Sequence, residues 1–462
     1  MSLESTVMFL DGAGKNALAR EVLDVFGKNA YSFEQFDEVS MCFFKIKDYD
    51  QAIAYGEKGY AIASTPQQMY TIRHNLINVY NHNNQPSKAL RYIRANEAVM
   101  PVDLDRDFEK AFSLFLSNNK ADAAALLRSK LGDATLTDEQ QTKLIFNLGT
   151  YDLIDGNLQL GLQRFLKGGE KMKIWDHTTI FSQDDIDKSG FTRWDGTVIP
   201  GQNILVVAEA GIGDEVINVR FFKRLKELGM NPIWMTLSSR KDLAELYQLN
   251  GITAIAGKQE IPKDFTNFVA IPSMHLPMYL NCTYDDLWDG VYLTETDPLY
   301  DTKWQTLVAE HSTPGKKKIG VRWQGNPAYD QDLHRSVPLV DLYNALKDIQ
   351  DVDFYSMQRD TGTEELPDFP GIIDLTAESK NLKDLFSFIK SMDIIVTSCT
   401  SIAHIAGAMG KEVYVWVPIS CYYVWCNPTK ESPWYGSNMH VIYQQKPGVW
   451  DNCIAEMQEF NK

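Results

Sequence analysis

Residues 203–215 read NILVVAEAGIGDE, and their pattern decides the fold class of the second half of the chain. Five residues rich in branched aliphatics are too few for a helix of ordinary length and suit a strand buried on both faces. The Gly-x-Gly that follows ends the strand, and VINVRFFKRLKELG resumes at helical spacing. Strand-length apolar runs then alternate with helical segments: PIWMTLS, KDLAELYQLN, ITAIA and FVAIPS. This is the signature of βαβ units and a parallel sheet.

A second series follows the loop at Pro314. It runs KKIGVRWQG, VDLYNALKDI, VDFYSMQ, GIIDLT, LKDLFSFIKS, MDIIVTS, SIAHIAGAMG and EVYVWVP. Two consecutive α/β series predict two facing Rossmann-like domains, with ligands expected at the carboxyl ends of the strands. Upstream, residues 1 to about 175 are helical in period, broken by short polar loops. Small residues recur at Ala52, Ala89, Ala123 and Gly161, spaced 37, 34 and 38 residues apart. That period suits an α-helical solenoid of helix pairs. The expected domains are a helical repeat region 1–175, a connector 176–200, and α/β domains 201–312 and 313–462.

The chain has 462 residues, at roughly 150 per domain enough for about three units. Its formal net charge of −16 repels phosphate backbones and anionic lipid, so no nucleic-acid partner is expected. The six cysteines have no CxxC pair or metal-ligand spacing, and no stretch reaches the ~18 apolar residues of a membrane span. The amphipathic start MSLESTVMFLDGAG lacks a cleavage signature. These features predict a cytoplasmic protein with reduced thiols, no transmembrane segment and no metal.

Three stretches carry candidate chemistry. In the first, Gly211 and Gly213 bring backbone N–H groups close to a ligand, and Asp214 at the helix start faces the cleft as a general base; Asp214 reads equally as a cap, and the glycines as mere turn-formers. In the second, Ser398, Cys399, Thr400 and Ser401 end a buried strand and open a helix whose free N–H donors and dipole suit a diphosphate. His404 lies one turn in, where a hydrogen-bonded core histidine is the plainer reading. In the third, Trp323, Gly325 and Asn326 lead to Arg335, whose guanidinium suits phosphate oxygens, with Gln358 and Arg359 after a neighbouring strand.

Other patterns are set aside. Gly12-Ala13-Gly14-Lys15 lacks phosphate-loop spacing, and a third glycine is missing for a dinucleotide site. Asp330-Gln331-Asp332 mimics a metal-holding Asp-x-Asp without supporting ligands. Cys421 and Cys426 read as packing residues.

The order of motifs is more specific than any one of them. Trp194-Asp195-Gly196, Pro200-Gly201, Glu209-x-Gly211-x-Gly213-Asp214, Trp323-x-Gly325-Asn326, Arg335-Ser336, His404-x-Ala406-Gly407-Ala408-x-Gly410 and Ser432-Pro433-Trp434-Tyr435 follow one another. As a set they resemble the bacterial tetratricopeptide-repeat glycosyltransferases, whose catalytic half is akin to ADP-heptose:lipopolysaccharide heptosyltransferases and distantly to protein O-GlcNAc transferases. The resemblance implies a GT-B fold and metal-independent, cofactor-free transfer of a sugar from a nucleotide diphosphate to an acceptor hydroxyl. Asp214 matches the family's base and Thr400 to His404 its diphosphate-binding helix start; Cys399 stands where most relatives carry aspartate. Glycan, lipid-linked glycan and protein acceptors stay open, and the repeats would present an acceptor or a protein partner. A reading of another class is a non-catalytic scaffold with a degenerate transferase half.

Overall fold

The computed structural model describes residues 2–97, 103–173, 191–329, 331–359, 361–426 and 432–459. Among these, ten helices come first: α1 (Leu3–Gly12), α2 (Asn16–Lys28), α3 (Phe33–Lys45), α4 (Tyr49–Ile62), α5 (Pro66–His82), α6 (Pro86–Asn96), α7 (Leu104–Leu116), α8 (Lys120–Arg128), α9 (Asp138–Ile154) and α10 (Leu158–Lys171). They form successive hairpins, and the turns within the hairpins are copies of one another. Gly14, Lys47, Asn84, Asn118 and Gly156 each adopt positive φ. The residue after each donates its N–H to the carbonyl five residues back, as Asp48 does to Phe43 and Gln85 to Tyr80. This is the left-handed cap that ends a helix and satisfies its last carbonyls.

The fourth residue of each second helix is small and buried: Ala19, Ala52, Ala89, Ala123 and Gly161. Four of these carry the repeat in the sequence. Ala19, with its turn at Gly14, extends it to the first pair. The stretch set aside as no phosphate loop is therefore a helix-ending turn.

Two sheets follow, both wholly parallel. The first has strand order β1-β5-β2-β3-β4, with β1 Thr192–Arg193, β2 Asn203–Val207, β3 Asn231–Thr236, β4 Ala254–Ala256 and β5 Val269–Pro272. The second has order β11-β10-β9-β6-β7-β8, with β6 Lys317–Arg322, β7 Val352–Ser356, β8 Ile372–Asp374, β9 Ile394–Ser398, β10 Glu412–Val417 and β11 Met439–Tyr443. Central strands such as β2 and β9 are buried almost throughout, as parallel strands covered by helices on both faces must be. In each sheet the chain reverses its direction of travel once, between β2 and β5 and between β6 and β9. Such reversals open crevices at the carboxyl ends of the strands.

The compact units divide differently from the expected domains. One comprises residues 1–133 together with 445–449, and the other 134–444 with 450–462. The expected helical domain 1–175 is thus split, because α9 and α10 pack with the sheets. Gln159 Nε2 donates to the carbonyls of Pro277 and Cys282 at 3.0 and 2.7 Å, and the Phe165 ring lies 5.6 Å from that of Tyr423. The connector 176–200 lies outside the described residues through 190, and beyond it Thr192–Arg193 joins the first sheet as an edge strand. The expected boundary at 312 follows helix Pro298–His311, which packs on the second sheet's helix Leu382–Lys390; Trp304 stacks on Phe388 at 4.2 Å. Among the described residues, no helix is long and apolar enough to cross a membrane.

The α9–α10 hairpin depends on the absence of side chains. A Cβ on Gly149 would lie 2.5 Å from the Phe165 backbone nitrogen and 2.9 Å from the Gly161 oxygen, and neither backbone atom can yield locally. Gly149→Ala should destabilise the sheet-bearing unit by about 1–3 kcal/mol in chemical denaturation. Gly12→Ala, where a Cβ meets nothing within 4 Å, should be neutral or slightly stabilising.

Candidate active site

The candidate residues gather at the two crevices. Past β2 the chain passes Ala208 and Glu209, turns at Ala210 with φ 56°, and enters helix Ile212–Val219. The left-handed residue is Ala210, so neither glycine is needed for the turn itself. Gly211 takes the cap position with φ −83°, and its N–H donates to Asp214 Oδ2 at 3.0 Å. Gly213 serves close approach: a Cβ there would stand 2.9 Å from His404 Cδ2 and 3.4 Å from Ser401 Cα. Helix Ile212–Val219 of the first sheet therefore touches helix Ser401–Ala408 of the second.

Two adjacent acids on the first helix have opposite fates. Glu215 is fully buried and spent on structure, accepting from Trp234 Nε1 at 3.1 Å, Thr236 Oγ1 at 3.0 Å and Arg240 at 2.9 Å. Asp214 commits one oxygen to the helix cap, while Oδ1 is closed off from solvent without a hydrogen bond of ordinary geometry. Burial pushes its carboxyl up to about 6, opposed by the Tyr422 hydroxyl and the Gly211 N–H, and the charge of Glu209 adds to the rise. A carboxyl poised there accepts a proton near neutrality.

Across from it, β9 ends at Ser398, Cys399 follows, and Thr400 occupies the cap of helix Ser401–Ala408. The Thr400 side chain makes no capping bond and instead meets Thr397 Oγ1 at 3.1 Å. Of the first-turn donors, the Ala403 N–H reaches the Thr400 carbonyl at 3.1 Å, and the Thr400 side chain satisfies none of them. Cys399 Sγ accepts from Trp425 Nε1 at 3.0 Å, and burial pushes its thiol up to about 11. His404 is buried, stacked on Trp425 at 5.1 Å, with Nδ1 2.9 Å from the Tyr435 hydroxyl. Burial, with the Arg220 charge, lowers it to about 3, so it is neutral at working pH. The plainer reading of His404 as a hydrogen-bonded core histidine describes these contacts.

Arg335 reaches the same place from the crevice beside β6. One guanidinium nitrogen donates to the Cys399 carbonyl at 3.4 Å, Nε pairs with Asp332 at 2.9 Å, and the group covers the Tyr329 ring at 4.6 Å. Gly325 leaves room for this pair: a Cβ there would lie 2.4 Å from Asp332 Oδ1 and 2.5 Å from Arg335 Nε, so the two side chains would have to shift. The other residues of this stretch are turned elsewhere. Trp323 is buried with its Nε1 on Glu365 at 3.2 Å, and Gln358 joins the Gln324 N–H to the Thr361 carbonyl at 3.0 and 2.6 Å. Asn326 is exposed and caps the Ala328 N–H at 2.9 Å. Asp330 of the Asp-x-Asp lies outside the described residues; Asp332 is engaged by Arg335 and Ser336.

Sequence reasoning passed over the residues that join the two halves. Arg220 donates to the carbonyls of Leu287, at 2.7 Å, and Trp434, and to the Tyr292 hydroxyl at 2.9 Å. Its guanidinium is ringed by Trp288, Tyr292, Trp434 and Tyr435 at 4.7–5.7 Å. A single cation inside the apolar run VINVRFF was the available signal. The aromatic stretch 421–426, read as packing, also supplies Tyr422 beside Asp214 and Trp425 on His404. Cys421 and Cys426 are indeed buried, with sulfurs 3.4 Å apart.

No family model matches the chain, and no curated protein matches it significantly. Among solved structures it is similar to E. coli ADP-heptose lipopolysaccharide heptosyltransferase II, at 12% identity over 56% of this chain and 100% of that one, with a TM-score of 0.34. A Veillonella parvula family 9 glycosyl transferase aligns with 54% of this chain and 88% of its own, at 11% identity and a TM-score of 0.37. The O-GlcNAc transferase of Thermobaculum terrenum aligns with 93% of this chain and 92% of its own, at 11% identity and a TM-score of 0.30. These are the classes that the order of motifs resembles.

Two outcomes follow from this geometry. Arg220→Met should destabilise the sheet-bearing unit by about 2–4 kcal/mol in urea, because the Leu287 and Trp434 carbonyls lose a charged donor. Asp214 has a folded-state value above the ordinary 3.8, so its contribution to stability is present below about pH 4 and lost as pH rises through about 6. Asp214→Asn should therefore unfold at higher denaturant than wild type at pH 7.5, with the gap closing as pH falls to 4.

Proposed function

We propose that this chain is a glycosyltransferase of the GT-B type, moving a sugar from a nucleotide-diphosphate donor to an acceptor hydroxyl in the cytoplasm. The carrying observation is the crossing at Gly213. It brings the first turn that carries Asp214, a carboxyl raised by burial with one oxygen on the Gly211 N–H, against the first turn of helix Ser401–Ala408. A base and an anion-binding group in one crevice are what displacement of a nucleoside diphosphate by a hydroxyl requires.

In this reading Asp214 takes the acceptor proton as its oxygen attacks the anomeric carbon. The leaving diphosphate departs from the opposite face, and configuration inverts. Its charge is met by the donors of Thr400 and Ser401 at the positive end of the helix dipole and by Arg335, without an essential metal or cofactor. The helix pairs are proposed as tetratricopeptide-like repeats that present the acceptor, a glycan, lipid-linked glycan or protein, or recruit a protein partner.

Calorimetry against a panel of nucleotide-diphosphate sugars, followed by turnover with the donor that binds, tests the assignment. Asp214→Asn should retain donor binding and lose about 10²-fold or more in turnover. Wild-type turnover should fall on the acid side with a midpoint near pH 6, since the base must be ionised. An intact fold that binds no nucleotide sugar favours the scaffold reading instead.

A further inference from the structure

Beyond β10 two thiols meet across a tight turn. Residues 421–426 read CYYVWC, and Tyr423–Trp425 form a single helical turn in which the Trp425 N–H donates to the Tyr422 carbonyl at 2.8 Å. That turn brings the Cys421 and Cys426 sulfurs to 3.4 Å, both of them reduced. The Cys426 thiol also lies 3.7 Å from the Cys421 carbonyl and 3.5 Å from the Tyr422 carbonyl.

The residues between the two cysteines form part of the crevice wall. Trp425 stacks on His404 at 5.1 Å, its Nε1 donates to Cys399 Sγ at 3.0 Å, and its carbonyl accepts from the Tyr443 hydroxyl at 2.8 Å. Tyr423 holds its hydroxyl 3.5 Å from Asn218 Nδ2 and sets its ring edge-on to Trp434 at 5.8 Å. A displacement of the turn is therefore delivered to helix Ser401–Ala408 through His404 and to helix Ile212–Val219 through Asn218.

We propose that Cys421 and Cys426 are a reversible oxidation site: a peroxide converts the dithiol to a disulfide, and the closed pair shifts the aromatic wall of the crevice. Cys421, 8% exposed against 3% for Cys426, is the sulfur that a small oxidant meets first. It attacks one peroxide oxygen and the O–O bond breaks, which leaves a sulfenic acid and one water. The Cys426 sulfur then attacks the Cys421 sulfur. The S–S bond forms, the S–O bond breaks, and the hydroxyl leaves as a second water with the Cys426 proton. Two thiols and one peroxide become one disulfide and two waters. Because the second thiol is already in place, closure is intramolecular and outpaces further oxidation of Cys421.

Closure reshapes the wall for a geometric reason. A disulfide holds its sulfurs about 2.05 Å apart, so the turn must take up a movement of more than about 1 Å from the 3.4 Å of the reduced pair. Close-packed side chains transmit such a movement to their neighbours. The bond also removes the Cys426 S–H from the carbonyls of Cys421 and Tyr422.

The test does not depend on the role of Asp214. Native protein labelled with 5-fluorotryptophan is treated with hydrogen peroxide, and remaining thiols are then alkylated. The intact chain should lose the mass of two hydrogens, chymotryptic peptides should show Cys421 linked to Cys426, and dithiothreitol should restore both thiols. In the fluorine NMR spectrum the Trp425 resonance, assigned with Trp425→Phe, should move on oxidation and return on reduction. Cys421→Ser and Cys426→Ser should abolish both the link and the shift.

A link from either cysteine to Cys399, a sulfenic or sulfinic acid that persists at Cys421, or closure seen only in urea-unfolded protein overturns the proposal. So does a fully linked protein in which none of the ten tryptophan resonances has moved. These readings are made on the wild type, so they decide even where a variant does not fold.

Discussion

A missing side chain sets the geometry of the sheet-bearing unit. Gly213 lies in the first turn of the helix after β2, and the edge of the His404 ring occupies the space its Cβ would fill. Any larger residue there would wedge the helix starts apart, and with them the open donors at Thr400 and the carboxylate of Asp214. Arg220 holds the contact from the far end of the same helix, tying carbonyls from both series of α/β elements. Because Tyr435 packs on Arg220 and bonds His404, the clamp and the crossing form one continuous assembly.

The electrostatics of this region follow from scarcity. In a chain with a net charge of −16, positive potential is confined to local devices. Acids nearby are held by arginines: Glu215 with Arg240, Asp332 with Arg335, and Glu170 with Arg193. Asp214 differs from these three, holding a backbone N–H and no cation among the contacts described. That difference separates Asp214 from Glu215, although the two are neighbours in the chain.

Much of the architecture is legible because it rests on local rules. Buried parallel strands are short apolar runs, and β2 to β10 can each be read as such. The hairpin turns are legible where Ala52, Ala89, Ala123 and Gly161 mark them. The pair at Ala19 escapes because Gly14 sits within a glycine-rich stretch that invites a different reading. β11 escapes because MHVIY is preceded by the aromatic motif at 432–435 and has no helical segment to announce it. The division at residue 133 is invisible to periodicity, since α9 and α10 carry the same turn and the same small residue as the pairs before them.

Sequence alone determined the helical array, the two parallel sheets and the strand ends, because propensity, period and turn chemistry act over a few residues. It also singled out Asp214, Thr400 and Arg335. Tertiary structure decided which neighbours those residues meet. It turned Trp323 and Gln358 inward as braces, neutralised His404 by burial, brought Tyr422 beside Asp214, and gathered around Arg220 the groups that clamp the far end of its helix. Such choices depend on which surfaces exclude water together, and no local pattern records them.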